Sequence, residues 1–188
     1  MDPRPTDPEV TPREMVGVVG VGASAGGLKP LERLVAAIPV DSGLAYVVIM
    51  HLDPERASRL AELLQHKTTL PVSQVTGPTE VEANHVYVTP PDRDLEMRDG
   101  VIVLRERSDR AERVPIDLVV RTLADAAGGD AIGVILSGTG RDGAEGVQAI
   151  REAGGITVAQ SPEEAEYPAM PTHAIETGRV DVVLPAAR

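Results

Sequence analysis

Residues 15–27 read MVGVVGVGASAGG, an apolar run that passes without a break into a turn of small residues. Val16, Val18, Val19 and Val21 predict a buried strand, and Gly22-Ala23-Ser24-Ala25-Gly26 predicts a tight turn into a helix. A serine on a strand-to-helix turn stands at a helix N-terminus with its hydroxyl exposed, and flanking glycines let a substrate approach the backbone. Ser24 is therefore a candidate nucleophile. Serine also caps helices by accepting a backbone N–H, and this segment alone leaves both readings open.

Outward from that turn, strand and helix patterns alternate. Leu28, Leu31, Leu34, Val35 and Ile38 recur at helical spacing before Pro39. Leu44 to Met50 reads as a second buried strand, followed by an amphipathic helix near Glu55 to His66. Such βαβ order predicts a parallel sheet covered by helices. His85–Thr89, Asp94–Arg98 and Val101–Arg105 are shorter and alternating, with a tight-turn signal at Asp99-Gly100. They predict an appended antiparallel hairpin region. The alternation then resumes: a helix over Ile116–Ala127, a strand over Ala131–Leu136, a helix over Gly143–Ala153 and a strand over Ile156–Ala159. A short helix near Pro171–Thr177 and a strand over Asp181–Leu184 close the pattern. The expected fold is α/β, a doubly wound and mostly parallel sheet with helices on both faces. Residues 1–14, with four prolines, read as a disordered leader, and residues 15–188 as one domain.

Composition narrows the function classes. A net charge of −11 opposes binding to nucleic acid or anionic lipid. With no cysteine there is no thiolate chemistry and no cysteine-bound metal, and the four histidines are scattered. Neither a metal nor a cofactor is called for. The N-terminus lacks the apolar core of a signal peptide and no apolar run is long enough to span a bilayer, so a cytoplasmic protein is expected. Sixteen arginines against two lysines carry no functional message.

In a doubly wound sheet, ligands bind beyond the carboxyl ends of the strands. Three polar residues follow predicted strands there: Ser24, His51 and Asp142. A hydroxyl, a base to take its proton and a carboxylate to orient that base are what acyl transfer requires. Each has a plainer alternative, His51 as a packed strand-end residue and Asp142 as the cap of the following helix. A rival set, Ser24, Asp142 and His173, follows the chain order of α/β-hydrolases, but His173 opens the short helix and no HGGG-type loop accompanies it. His66, ending a helix, and His85, beginning a strand, read as structural.

These segments resemble the catalytic domain of the chemotaxis protein-glutamate methylesterases, the CheB family. The resemblance rests on residues 19–27, His51-Leu52-Asp53-Pro54, Tyr87 to Pro91 and Pro115-Ile116-Asp117. It continues through GVILSGTGRDG at 133–143, Met170-Pro171 and Gly178 to Pro185. Leu52-Asp53-Pro54 and Ala25 are most similar to the version fused to a CheR-type methyltransferase. The resemblance implies hydrolysis of glutamate methyl esters on chemoreceptor cytoplasmic helices, with glutamine deamidation in some members. It implies Ser24 as nucleophile, His51 as general base and Asp142 as the residue orienting it. The backbone N–H groups of Ala25 and Thr139 are the oxyanion-hole candidates. Many members carry threonine, glutamine and methionine where Ala25, Met50 and Thr139 stand, and most carry a receiver domain ahead of the first strand, so control by phosphorylation in cis is not expected.

Arg56, Arg59 and Arg141 are candidates for local attraction to an acidic receptor, or else solvated surface charges. Two other functions compete. Gly20, Gly22 and Gly26, with Asp53 after the second strand, loosely match a dinucleotide-binding loop. A Tyr-x-x-x-Lys pair is missing, because Met50, Pro91 and Pro171 stand four residues after the three tyrosines. The third reading is a non-catalytic signalling module that keeps the fold.

Overall fold

The computed structural model describes residues 16–51, 58–107 and 114–186. The chain forms β1 (Val18–Ala23), α1 (Leu28–Ala37), β2 (Ala45–Met50), α2 (Leu60–Gln65), β3 (Val72–Gln74), β4 (Thr79–Glu80), β5 (His85–Val88), β6 (Arg93–Arg98) and β7 (Val101–Glu106). These are followed by α3 (Pro115–Ala127), a 3-10 turn at Gly128–Asp130, β8 (Ala131–Ile135), α4 (Ala144–Glu152), β9 (Ile156–Gln160), α5 (Ala169–Glu176) and β10 (Val182–Leu184).

Among the described residues the strands form a parallel sheet of seven, in the order β10-β9-β8-β1-β2-β5-β3, and an antiparallel sheet of three, in the order β4-β7-β6. The chain winds from β1 toward β2 on one side and returns to β8 on the other. The strand order thus reverses beside β1, where a crevice opens at the carboxyl ends of the strands. Register places Ala23 opposite Met50 and Gly22 opposite Ile135, so the residues leaving β1, β2 and β8 emerge side by side.

Two cores sandwich the sheet, each matched to a helix face. Val19, Val21, Val48 and Val86 pack with Leu31 and Val35 of α1 and Leu60 and Leu64 of α2. On the other face, α3 buries Ile116, Val119, Val120, Leu123, Ala124 and Ala127. That i, i+3, i+4, i+7 stripe fits an amphipathic helix, and each large aliphatic side chain so buried contributes roughly 1.5–3 kcal/mol. Leu95, Met97 and Ile102 of the small sheet share this second core.

Gly20 and Gly22 of β1 face α3 across this core. A Cβ on Gly20 would lie 2.6 Å from Leu123 Cδ1, and one on Gly22 would lie 2.4 Å from Ile116 Cγ2. Two of the three glycines that loosely suggest a nucleotide loop, Gly20 and Gly22, therefore serve to admit a helix against the strand.

The expected architecture holds, with local corrections. His85–Val88 belongs to the parallel sheet, paired with β2 and β3, and not to the hairpin region. Its Val86, Tyr87 and Val88 are all buried, as a strand covered on both faces requires. The hairpin turns at Asp99-Gly100, with φ of 48° and 77°, the left-handed pair that a two-residue hairpin turn demands. The helix expected near Glu55–His66 runs over Leu60–Gln65, with residues 52–57 outside the described set. The leader, residues 1–14, also lies outside it. Helix α5 starts at Ala169, because Pro171 sits in its first turn, where a missing N–H costs nothing.

Candidate active site

Each of the three predicted side chains follows one of three neighbouring strands. Ser24 leaves β1, and its N–H donates to the Ser137 carbonyl at 3.0 Å. His51 leaves β2, and its N–H donates to the Ala23 carbonyl at 3.2 Å. Asp142 follows β8 in the loop before α4. The Ser24 hydroxyl and His51 Nδ1 are 3.1 Å apart, and His51 Nε2 stands 2.9 Å from Asp142 Oδ2. Residues separated by 27 and 91 positions in the chain thus form one continuous hydrogen-bonded relay.

Donor and acceptor logic fixes the proton positions. Asp142, acceptor-only when ionised, accepts the hydrogen bond that Nε2–H donates, which leaves the Nδ1 lone pair to accept from the serine hydroxyl. This reverses the ring order of the best-known serine-protease triad, in which Nε2 faces serine. Both nitrogens belong to one conjugated ring, so the relay chemistry is unchanged.

The plainer roles of Ser24 and Asp142 are not what the geometry displays. Helix α1 is capped by Gly27 without any side-chain hydrogen bond, so Ser24 does not cap it. Asp142 likewise does not cap α4, whose N-cap is Gly143 at φ 99°, a conformation suited to glycine. Instead its carboxylate accepts the Ile116 N–H at 3.0 Å and the Asp117 N–H at 2.8 Å, at the start of α3. A helix N-terminus favours an anion, and two amide donors hold both oxygens of a side chain that is only 5% exposed.

Exposure is greatest at the imidazole, with the hydroxyl and the carboxylate buried on either side of it. Ser24 is 7% exposed overall, whereas the His51 side chain is 32% exposed. A cleft of about 320 Å³ lies over the serine, lined by Ser24, Ala25, Leu28, Lys29, Met50, His51 and Glu166 among others. The Gly138 N–H is occupied by the Tyr167 carbonyl, as the Ser24 N–H is by Ser137. The Ala25 and Thr139 N–H groups donate to no acceptor among the described residues.

His173 stands apart from this relay. It lies within α5, and its Nδ1 donates to the Gly140 carbonyl at 2.7 Å. His85 pairs with Ser73 at 2.8 Å and stacks on Tyr87, and burial lowers its pKa. His66 ends α2. Of the three arginines, Arg59 is exposed and paired with Glu62, Arg141 is exposed next to Asp142, and Arg56 lies outside the described residues.

Several supporting residues escape sequence reasoning. The buried Ser137 hydroxyl donates to the Ala25 carbonyl at 3.0 Å and accepts the Tyr167 N–H at 3.0 Å, tying the Ser24 turn to the segment before α5. Gln160 accepts the Ser137 N–H at 2.8 Å. A Cβ on Gly138 would lie 2.0 Å from the Met170 sulfur and 2.9 Å from Ser24 Cβ, so the Met170-Pro171 motif packs directly behind the serine.

The family model described as CheB methylesterase matches residues 19–188. The chain belongs to the CheB methylesterase family. A relative in Anaeromyxobacter dehalogenans, named protein-glutamate methylesterase/protein-glutamine glutaminase 4, is 36% identical over 98% of this chain and 54% of its own length. A Leptospira interrogans relative is 30% identical over 87% of this chain and 86% of its own length. The CheB methylesterase catalytic domain of Thermotoga maritima, known from its crystal structure, superposes with a TM-score of 0.83 at 29% identity. That match covers 91% of this chain and 93% of the crystallised one. The chain spans about half the length of the first of the curated relatives it matches. The doubly wound CheB fold is common to the chain and the crystallised domain.

Proposed function

We propose that residues 15–188 act as a protein-glutamate methylesterase domain, with Ser24 as nucleophile, His51 as general base and Asp142 as the residue that orients His51. The observation that carries this reading is the unbroken relay from the Ser24 hydroxyl through the imidazole to a buried carboxylate. The serine oxygen attacks the ester carbonyl as its proton passes to Nδ1, and charge gathers on the carbonyl oxygen. The Ala25 and Thr139 amides are the donors assigned to it. Collapse expels methanol, which takes the proton from Nδ1 and leaves an acyl-serine. Water, deprotonated by the same nitrogen, releases glutamate and restores the hydroxyl. With a glutamine side chain the same steps expel ammonia, which supports glutaminase activity as the second reaction of the site.

The substrate assigned is the methylated glutamate of chemoreceptor helices on the cytoplasmic side. Among the described residues, no helix is long and apolar enough to cross a membrane. The partner assigned is a CheR-type methyltransferase that forms the esters removed here, supported by Ala25 and the Leu52-Asp53-Pro54 step. Exposed Arg141, beside Asp142, is the cation assigned to steer an acidic substrate.

The test is methanol release from a methylated receptor fragment or a generic methyl ester. Ser24→Ala and His51→Ala are expected to lose at least about a thousandfold in rate while remaining folded. Undiminished turnover in Ser24→Ala would eliminate the serine mechanism, and a wild-type protein inert toward every ester would favour the non-catalytic module.

A further inference from the structure

The relay leaves one buried carboxylate at its edge without a task. Asp117, in the first turn of α3, is 3% exposed, and its Oδ1 accepts the Gly146 N–H at 2.6 Å. Gly146 is the third residue of α4. Neither helix caps itself, since the N-cap residues Val114 and Gly143 make no side-chain hydrogen bond. The two helices exchange caps instead. Asp142, from the approach to α4, holds the first amides of α3, while Asp117, from α3, holds α4.

This exchange brings two carboxylates together, an arrangement that capping alone does not require, because serine or asparagine caps as well. Burial pushes the Asp117 carboxyl up to about 6, with Asp142 and Glu145 adding to the rise and the Gly146 and Gly143 amides opposing it. Two cap exchanges closed on each other fix a distance that neither alone would fix. The Asp142 oxygen that accepts the Ile116 N–H is the same one that faces His51. Any slip of α4 against α3 therefore moves the atom on which the imidazole depends.

We propose that Asp117 is a positioning residue of the triad, holding the N-terminus of α4 against that of α3 so that Asp142 stays in register with His51. This rests on the hydrolase reading of Ser24, His51 and Asp142. The test compares Asp117→Ala, which loses the acceptor, with Asp117→Asn, which keeps a carbonyl oxygen for Gly146. Asp117→Ala is expected to lower kcat about tenfold to a hundredfold with KM within about twofold, as small misplacements in active sites do. Asp117→Asn is expected to recover to within about threefold of wild type. If the alanine protein does not fold, Asp117→Ser, with its shorter arm, is expected to lose about tenfold in kcat.

A second readout is independent of turnover. The Nε2–H proton of His51, hydrogen-bonded to Asp142, is expected as a far-downfield NMR resonance in wild type and Asp117→Asn, and to weaken or vanish in Asp117→Ala or Asp117→Ser. If the wild type shows this resonance but hydrolyses no ester, the hydrolase reading fails while the positioning role is still judged by the resonance. A folded Asp117→Ala or Asp117→Ser protein with unchanged kcat and unchanged resonance, merely less stable, would overturn the proposal.

Discussion

Gly22→Ala tests whether the approach of α3 to β1 sets the chemistry as well as the packing. The added Cβ would lie 2.4 Å from Ile116 Cγ2 and 3.1 Å from Ile116 Cδ1. Carbon contacts are comfortable only at about 3.5–4.0 Å, so relief requires a movement of about 1 Å. Ile116 is fully buried, which leaves rotation little room. The start of α3 must give way instead, taking with it the amides that hold Asp142 at 3.0 and 2.8 Å. A comparable displacement of the carboxylate would stretch its 2.9 Å bond to His51 toward the limit of hydrogen bonding. Overpacking of this kind costs about 1–3 kcal/mol of stability, and a 1 Å misplacement about a hundredfold in kcat. Methanol release and denaturant unfolding, measured on the same preparations, separate the two. Ile116→Ala removes the obstructing side chain but keeps the amide, at about 2–5 kcal/mol in stability. The double variant should therefore recover kcat to within about threefold of Ile116→Ala alone. Wild-type kcat in Gly22→Ala, or strictly additive losses in the double variant, would refute the reasoning.

Other expectations follow from the same geometry. Burial holds the Asp117 carboxyl near 6, above the 3.8 of an unstrained aspartate, so the folded state binds its proton more tightly than the unfolded state does. Stability is accordingly lost as pH rises from about 4 to 6, by on the order of 3 kcal/mol, and Asp117→Asn should escape that loss. Unfolding of the two proteins across this range checks it, and a pH-independent difference would contradict it. His173→Ala should cost only a few-fold in kcat, because it frees the Gly140 carbonyl without touching the relay. A loss near that of Ser24→Ala would revive the rival triad. Ser137→Ala strips partners from the Ala25 carbonyl and Tyr167 N–H and should cost about 1–3 kcal/mol in denaturant unfolding.

The parallel sheet, its helices and the β6–β7 hairpin were legible because their signals are local: valine-rich runs, the α3 stripe from Ile116 to Ala127, and the Asp99-Gly100 turn. The position of His85–Val88 was not, since a short buried strand has the same pattern in either kind of sheet and pairing is a property of partners distant in sequence. Ser24, His51 and Asp142 could be listed from one rule, that strands ending at a common edge share a crevice. The second task of Asp142, capping α3, was hidden because its partners lie 25 and 26 residues earlier in the chain. Gly20 and Gly22 invited a nucleotide reading for a similar reason. A glycine in sequence announces close approach but not what approaches, and here it is Ile116 and Leu123.

The relay joins the ends of three neighbouring strands whose residues stand 27 and 91 positions apart. Contacts of such separation form only once the entropy of closing the intervening loops has been overcome. A refolding chain that has assembled only β1, α1 and β2 owns the hydroxyl and the ring, yet lacks the anion that steadies them. Recovery of turnover after dilution from denaturant should therefore lag behind recovery of helical signal, making it a clock for the docking of β8.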